Sequence, residues 1–287
     1  MDLSIIIVNY NSGEHLKRCL ASLKDASPQW TYEIVVVDNA SKDGDLTGLQ
    51  KAHPEVHLIK NSKNVGFAKA NNQAITQVRG KYILLLNPDT LILKNGLEQL
   101  VKFMEDHSEA GAAGPVLLNP DGTRQPSCRR FPTPTNVFFG RNSLLTRWFP
   151  RNPLSQSYLL MDLDGQKPVE VDWVMGACMI LRHEAFQNVG GFDEIFFLFV
   201  EDADLCYRLR QKGWKTYFVP EAQAIHEYGV SMRYRRRLSM KEHNIGMYRF
   251  FLKHYQFSLL MKGLLSLGLL LRLSLLAPLT GFQETER

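Results

Sequence analysis

Apolar residues come in short runs separated by polar, turn-forming clusters. Leu3 to Val8 is the first run, bounded by Asn9-Tyr10-Asn11-Ser12-Gly13, and Ile34 to Val37 is the second, ending at Asp38-Asn39. Between them Leu16, Cys19, Leu20 and Leu23 recur at helical spacing, which reads as strand, helix, strand. The cycle repeats with a strand at Val56 to Ile59, a helix from Phe67 to Val78, and a strand at Tyr82 to Leu86 apolar enough to be buried on both faces. Leu97, Leu100, Val101 and Met104 mark another helix, and Gly114 to Leu118 another strand. Such alternation predicts an α/β fold with a mostly parallel central sheet flanked by helices, binding ligands beyond the carboxyl ends of its strands.

The stretch from Asn119 to Lys167 is irregular and rich in Pro, Arg, Asn and Ser; a loop of that length usually covers a site or is disordered. Beyond it the pattern predicts a strand over Val171 to Leu181 and a short helix from His183. An aromatic run, Phe196 to Phe199, then precedes a helix from Glu201 to Lys212 and a strand from Trp214 to Val219. With no repeat and no clean linker, residues 1–250 form one catalytic domain and residues 251–287 a basic, apolar helical appendage. Residues 257–279 are apolar almost all round, interrupted by Lys262 and Arg272. A spanning helix needs about 20 apolar residues and each buried cation costs roughly 3 kcal/mol. The segment therefore lies in a membrane interface, crosses the bilayer with both cations snorkelling, or packs as a core or dimer helix.

Composition narrows the class. At 287 residues, 45% apolar and 22% charged, the chain is neither disordered nor collagen-like. Cys19, Cys128, Cys178 and Cys206 are spaced too irregularly for a disulfide framework or a zinc knuckle, which points to a reducing compartment. No signal peptide is legible at Met1, which places the body in the cytoplasm. The net charge of +5 is uneven: from His226 onward ten Lys and Arg face four Glu. That end suits an anionic surface or ligand. No motif for nucleic acid accompanies the charge, so nucleic acid is not an expected partner.

The runs end in polar residues. Asp38 is placed to accept from a nucleotide's ring N–H or ribose hydroxyl, or to cap the turn that follows it. Asp89, within Asn87-Pro88-Asp89-Thr90, suits a hard divalent cation with oxygen ligands. Glu201, Asp202 and Asp204 fit a helix start as caps and dipole partners. Beside so many aromatics, desolvation would also raise a carboxyl toward the range of a general base. His226, a lone histidine, reads by itself as packing or surface. Asn61 to Asn72 places Gly66 and several amides at a helix start, where N–H groups suit an anion. GxGxxG, GxxxxGK[ST] and GxSxG patterns do not occur, against dinucleotide binding, P-loop hydrolysis and serine-nucleophile chemistry.

Taken in order, Asn9-Tyr10-Asn11, Val37-Asp38-Asn39-Ala40-Ser41, Asn64-Val65-Gly66-Phe67, Asn87-Pro88-Asp89, Gly176-Ala177-Cys178, Gly191-Phe192-Asp193-Glu194, Glu201-Asp202-Ala203-Asp204 and His226 resemble family 2 glycosyltransferases, most closely the bacterial rhamnosyltransferase-like branch. The resemblance covers about residues 2–250. It implies a GT-A fold and sugar transfer from a nucleotide diphosphate sugar with inversion at C1. Asn9 and Tyr10 would line the nucleotide pocket, Asp38 bind the base or ribose, and Asn64, Gly66 and Asn71 hold the nucleoside and sugar side. Asp89 matches the last Asp of the family's DxD signature, and Asn87, a neutral and weaker ligand, replaces the first. Asp89 and His226 would hold Mg²⁺ or Mn²⁺. Asp202 matches the family's base, with Glu201 as the fallback. Asp193 and Glu194 would lie near a sugar, above a floor of Trp173 and Gly176-Ala177.

Arg233, Arg235, Arg236 and Arg237 suit a diphosphate, the donor's or a lipid-linked acceptor's, or else anionic headgroups. The implied activity is transfer of L-rhamnose from dTDP-L-rhamnose, or of a sugar from a UDP-hexose, to a polyprenyl-diphosphate-linked saccharide for a bacterial surface polysaccharide. The implied location is the cytoplasmic side of the plasma membrane, peripheral or monotopic. A catalytically inactive sugar-nucleotide-binding protein is the alternative outside enzymes.

Overall fold

The computed structural model describes residues 1–26, 30–43, 46–134, 158, 160, 167–227 and 236–279. The first half alternates as its apolar runs require: β1 (Leu3–Asn9), α1 (Gly13–Asp25), β2 (Tyr32–Asp38), α2 (Leu46–Ala52), β3 (Val56–Lys60), α3 (Phe67–Ile75) and β4 (Tyr82–Leu86). Then come β5 (Thr90–Ile92), α4 (Gly96–Asp106), β6 (Ala110–Leu118), β7 (Arg124–Gln125), β8 (Cys128–Arg129), β9 (Val169–Val171) and β10 (Trp173–Val174). The chain continues through β11 (Cys178–Arg182), α5 (His183–Asn188), α6 (Glu201–Gln211), β12 (Lys215–His226), α7 (Arg236–His254) and α8 (Leu259–Leu279).

The main sheet has the order β3-β2-β1-β4-β11-β6-β12-β5. β3, β2, β1 and β4 run parallel; β11 lies antiparallel between β4 and β6, and β12 runs parallel to β6. Because side chains alternate along a strand, each apolar run feeds two cores. Leu3, Ile5 and Ile7 join Leu16 and Leu20 of α1 and Leu97 and Leu100 of α4 on one face. Ile6, Val35 and Leu85 join Ala70 and Ala74 of α3, Leu205 and Leu209 of α6 and Phe250 of α7 on the other. Cutting one such leucine to alanine costs about 2–5 kcal/mol, so both faces hold the register.

Several elements depart from the apolar pattern. The single strand expected over Val171 to Leu181 is three: β9 pairs β12, β10 pairs β8 in a separate two-stranded sheet, and β11 enters the main sheet. An unbroken apolar run conceals such changes of partner. β12 continues to His226 because the segment around Pro220 forms an irregularity between Val219 and Gln223 instead of an end. His226 is thus on a strand. α3 stops at Ile75, ahead of Val78. β5, β7, β8, α2 and α7 carry no apolar period that would announce them.

Among the described residues no helix is long and apolar enough to cross a membrane. α8 rests on α7 through the Tyr248 and Ser266 hydroxyls, 2.7 Å apart. Leu265 is buried while Leu259, Leu260, Leu264, Leu267, Leu270 and Leu271 are exposed. Arg233 and Arg235 lie outside the described residues, as do the side chains of Arg236 and Arg237 at the start of α7.

Candidate active site

The carboxyl ends of β1 and β2 are tied together before any ligand arrives. Asn9 Nδ2 donates to Asp38 Oδ1 (2.9 Å) and to Ser41 Oγ (3.0 Å), and the Ser41 N–H donates to Asp38 Oδ2 (3.1 Å). Asn9 Oδ1 is left as a buried acceptor with no partner among the described residues. Tyr10 follows at the strand end, half-buried. Asn39 Nδ2 donates to Gly66 O (3.2 Å), linking this end to the loop before α3.

That loop is shaped by close approach. Gly66 has φ +88°, and a Cβ on it would sit 2.5 Å from Phe197 O. Only glycine fits such a position. The Phe67 N–H donates to that same Phe197 carbonyl (2.8 Å), and the Gly66 N–H donates to Asn64 Oδ1 (2.9 Å). Asn71 Nδ2 donates to Phe67 O (2.9 Å). Two of the N–H groups at this helix start, those of Gly66 and Phe67, are thus engaged by Asn64 and by the 196–199 segment.

At the carboxyl end of β4, the Asn87 N–H and Thr90 Oγ1 both donate to Ala177 O (2.9 and 3.3 Å). Asp89, buried, accepts through its backbone carbonyl from the Glu227 N–H (2.9 Å), which fastens the end of β12. His226 Nε2 thereby lies 3.4 Å from Asp89 Oδ1 despite 136 intervening residues. Gln125 Nε2 donates to His226 O (2.6 Å) and Asn119 Oδ1 (2.7 Å), so its Oε1 is the acceptor 3.0 Å from His226 Nδ1. This makes Nδ1 the donor and turns Nε2 toward Asp89; a hydrogen bond on one ring nitrogen fixes the tautomer and leaves the other free to bind a metal. Asp89 Oδ1 is buried with no hydrogen-bond partner. An orphaned carboxylate oxygen facing an oriented imidazole fits a divalent cation. Among the described residues no cluster of three or more His, Cys, Asp or Glu forms, so such an ion would complete its shell with other oxygens.

The next residue in the same turn reaches the other carboxylates. The Gly176 N–H donates to Asp202 Oδ2 (3.1 Å), one position from the Ala177 carbonyl that holds the Asn87–Thr90 turn. Asp202 Oδ1 accepts from the Ala203 N–H (2.8 Å). Phe199 and Val200, at the mouth of α6, have φ 67° and 70°. For a β-branched valine that is strained backbone of the kind found where surroundings over-determine a functional geometry. Burial raises the Asp202 carboxyl above its usual range against the pull of the two N–H groups. Burial and the neighbouring Asp202 charge raise Glu201 well above its range, and Glu201 Oε2 has no partner. Burial also works on Asp204, but His254, Arg208 and Lys253 outweigh it and hold that carboxyl low. His254 Nε2 and Lys253 Nζ each lie 2.7 Å from Asp204 Oδ1, and Arg208 Nε 2.8 Å from Oδ2.

The structure thus gathers Asn9 with Asp38, and Asp89 with His226, and joins Asp89's turn to Asp202 through residues 176–177. Asp193 and Glu194 make outward ion pairs with Lys253 (2.6 Å) and Lys69 (3.4 Å). Gln125, Ser41 and His254 were missed by the sequence reading. Gln125 and His254 sit in elements without apolar period, whereas Ser41 stood in the quoted motif without a role.

A mixed sheet flanked by helices, parallel from β3 to β4, with a carboxylate–imidazole pair and buried carboxyls gathered beyond its strand ends, has the architecture of the GT-A nucleotide-sugar transferases. The chain belongs to glycosyl transferase family 2, whose model matches residues 4–190. It is 33% identical over 236 residues to the N-acetylglucosaminyl-diphospho-decaprenol L-rhamnosyltransferase of Mycobacterium tuberculosis, covering 78% of this chain and 75% of that protein. It is 30% identical over 232 residues to rhamnosyltransferase WbbL of Escherichia coli K12, covering 77% and 82%. In fold it matches the mannosyltransferase PcManGT of Pyrobaculum calidifontis, solved with GDP-Man and Mn²⁺, at a TM-score of 0.61 and 18% identity over 92% of this chain and 68% of that one.

Proposed function

We propose that this glycosyltransferase moves L-rhamnose from dTDP-L-rhamnose, with inversion, onto a hydroxyl of a polyprenyl-diphosphate-linked saccharide during bacterial surface polysaccharide synthesis. The observation that carries the reading is the Asp89 oxygen without a hydrogen bond facing His226, its turn tied through residues 176–177 to the raised carboxyl of Asp202. The names of the mycobacterial and WbbL relatives support rhamnose as the sugar, and the former supports a lipid diphosphate acceptor.

Asp202 takes the proton of the acceptor hydroxyl as that oxygen attacks C1. The bond from C1 to the diphosphate breaks on the opposite face, and its electron pair leaves with the diphosphate. A base with a raised pKa is matched to this task near neutrality. Asp89 and His226 would hold Mg²⁺ or Mn²⁺, which neutralises charge on the departing diphosphate. Asn9, Tyr10, Asp38, Asn64, Gly66, Asn71 and Asn87 would form the donor side, with Glu201 buried beside the base. Residues 1–250 would be the transferase unit. The exposed leucines of α8 would bind an anionic cytoplasmic membrane surface peripherally.

The identity of 30% over 235 residues to the Haloferax volcanii hexosyltransferase Agl10 favours a second reading, another hexose donor such as a UDP-hexose. A panel of dTDP-L-rhamnose, UDP-hexoses and GDP-mannose, with Mn²⁺ or Mg²⁺ and a polyprenyl-diphosphate-linked N-acetylglucosamine, separates the two. Release of dTDP alone supports rhamnose, release of UDP moves the assignment to a hexose, and release from no donor overturns transfer.

A further inference from the structure

His226 is the last residue of β12, and its sheet partner there is Thr90 of β5, a three-residue strand at the sheet edge. Strand ends of this kind open readily unless something beyond the ladder ties them. Asp89 and His226 can share an ion only while both stay in place, so whatever ties this end bears on the site. Gln125 orients the His226 ring. The chain itself is held at Glu227, whose N–H donates to Asp89 O (2.9 Å) and whose carboxylate is engaged by α1.

Arg18 Nη2 lies 2.6 Å from Glu227 Oε1, and His15 Nδ1 lies 3.2 Å from Oε2. The same face of α1 reaches the rest of the turn. Cys19 Sγ donates to Asn87 O (3.7 Å), and the Ile92 N–H of β5 donates to Ser22 Oγ (3.2 Å). Positions 15, 18, 19 and 22 make one helical stripe, and it touches the chain before Asp89, the strand after it and the residue after His226. The start of this helix is anchored in turn. α1 opens at Gly13, and the nearby Asn11 N–H donates to Ser41 Oγ (2.9 Å), the hydroxyl that also accepts from Asn9.

We propose that Glu227 is a positioning residue: gripped by Arg18 and His15, it fixes His226 opposite Asp89 and ties that pair, through α1, to the nucleotide end of the sheet. The assignment rests on the proposed cation at Asp89 and His226 and names what keeps its ligands in place. Among the described residues no third His, Cys, Asp or Glu joins that pair, and both Glu227 oxygens face α1, so Glu227 acts on the site without being a ligand. An ordinary surface ion pair contributes little. This one differs in its position, because the Glu227 backbone bonds the residue that supplies one ligand and is joined covalently to the other. A shift at Glu227 therefore moves His226 directly. Outer partners of metal ligands work in this way, by holding geometry.

The test uses the full-length protein, with Mn²⁺ titrated by calorimetry at saturating dTDP and amide exchange at residue 227 followed by NMR with no metal present. Glu227→Ala should weaken Mn²⁺ about tenfold and speed that exchange by a similar factor, with metal-free dTDP affinity unchanged and the thermal midpoint little moved. His15→Ala/Arg18→Ala should do the same, and adding Glu227→Ala to it should cost nothing more. Lys17→Ala, which breaks the exposed pair with Glu14 on the same helix, should change nothing. Intact Mn²⁺ affinity in His15→Ala/Arg18→Ala beside a loss in Glu227→Ala would make Glu227 a ligand and overturn the proposal. Loss of metal-free dTDP binding in the double variant would assign Arg18 or His15 to the donor's diphosphate and overturn it as well. A wild type that binds no Mn²⁺ sinks the metal reading; the hold on His226 is then judged by exchange at residue 227, and exchange unchanged in Glu227→Ala overturns it.

Discussion

Asp38 ends β2 and Asp89 follows β4, parallel strands on either side of β1, yet the two are finished differently. Both oxygens of Asp38 accept, one from Asn9 on the adjacent strand and one from the Ser41 N–H of the turn that follows. Asp89 presents a buried oxygen with no partner, and Glu201 beyond it presents another. Asn9 Oδ1 is an orphan at the nucleotide end too, but it is a neutral amide oxygen; orphaned buried acceptors cost about 1–3 kcal/mol each and carboxylate oxygens more, so the transfer end leans harder on the rest of the fold. Asp204 shows how it is held. This carboxylate lies one turn from the strained Phe199–Val200 pair and is fastened by Arg208 of α6 and by Lys253 and His254 of α7.

The sharpest break in that contrast is Asp202→Asn. Transfer should fall about 10²- to 10⁴-fold while calorimetric dTDP binding persists; undiminished transfer by the folded variant would move the base to Glu201 or elsewhere. Asp204→Asn should instead act on stability. Leaving the cations of α6 and α7 without their buried anion costs about 3–5 kcal/mol, read as a lowered urea midpoint, whereas Glu201→Gln, which removes a charge that burial opposes, should hold or raise it. Gln125→Ala tests the Asp89 end, with an expected loss of about 10–100-fold in Mn²⁺ affinity in the presence of dTDP; unchanged affinity would detach Gln125 from the site.

The pH profile refines the comparison. A base works only when ionised, and burial raises Asp202, so the acid limb of kcat/KM should lie above the ordinary carboxylate range and vanish in Asp202→Asn. Mildest for the chemistry is removal of residues 257–287. Vesicle flotation should be lost with dTDP affinity intact, and a truncated protein that still floats would remove α8 from the membrane contact.

Asp38, Asp89 and Asp202 were legible because each lies where an apolar run ends or a helix opens, and such boundaries survive in a one-dimensional pattern. His226 and its pairing with Asp89 were legible only through the resemblance; the apolar pattern alone could not place them together, since the contact depends on β12 continuing through Pro220. Gln125 and His254 left no trace. Gln125 lies in a strand of two residues inside a polar stretch, too short for alternation to register. His254 belongs to a helix whose apolar residues follow no clear stripe. Strand direction was equally silent: Cys178 to Arg182 reads the same whether it runs with β4 or against it.

That antiparallel strand bears on how the protein reaches its native state. β3, β2, β1 and β4 are joined by local crossovers and can assemble once about the first third of the chain is available. The outer edge of β4, with every residue from Tyr82 to Leu86 buried in the finished protein, waits for β11. During synthesis on the ribosome some 90 further residues must emerge before that edge is paired. An apolar strand with open N–H and C=O groups templates the wrong neighbour. The interval between the two strands is therefore the stretch of biogenesis in which the nascent chain depends most on being shielded from its copies.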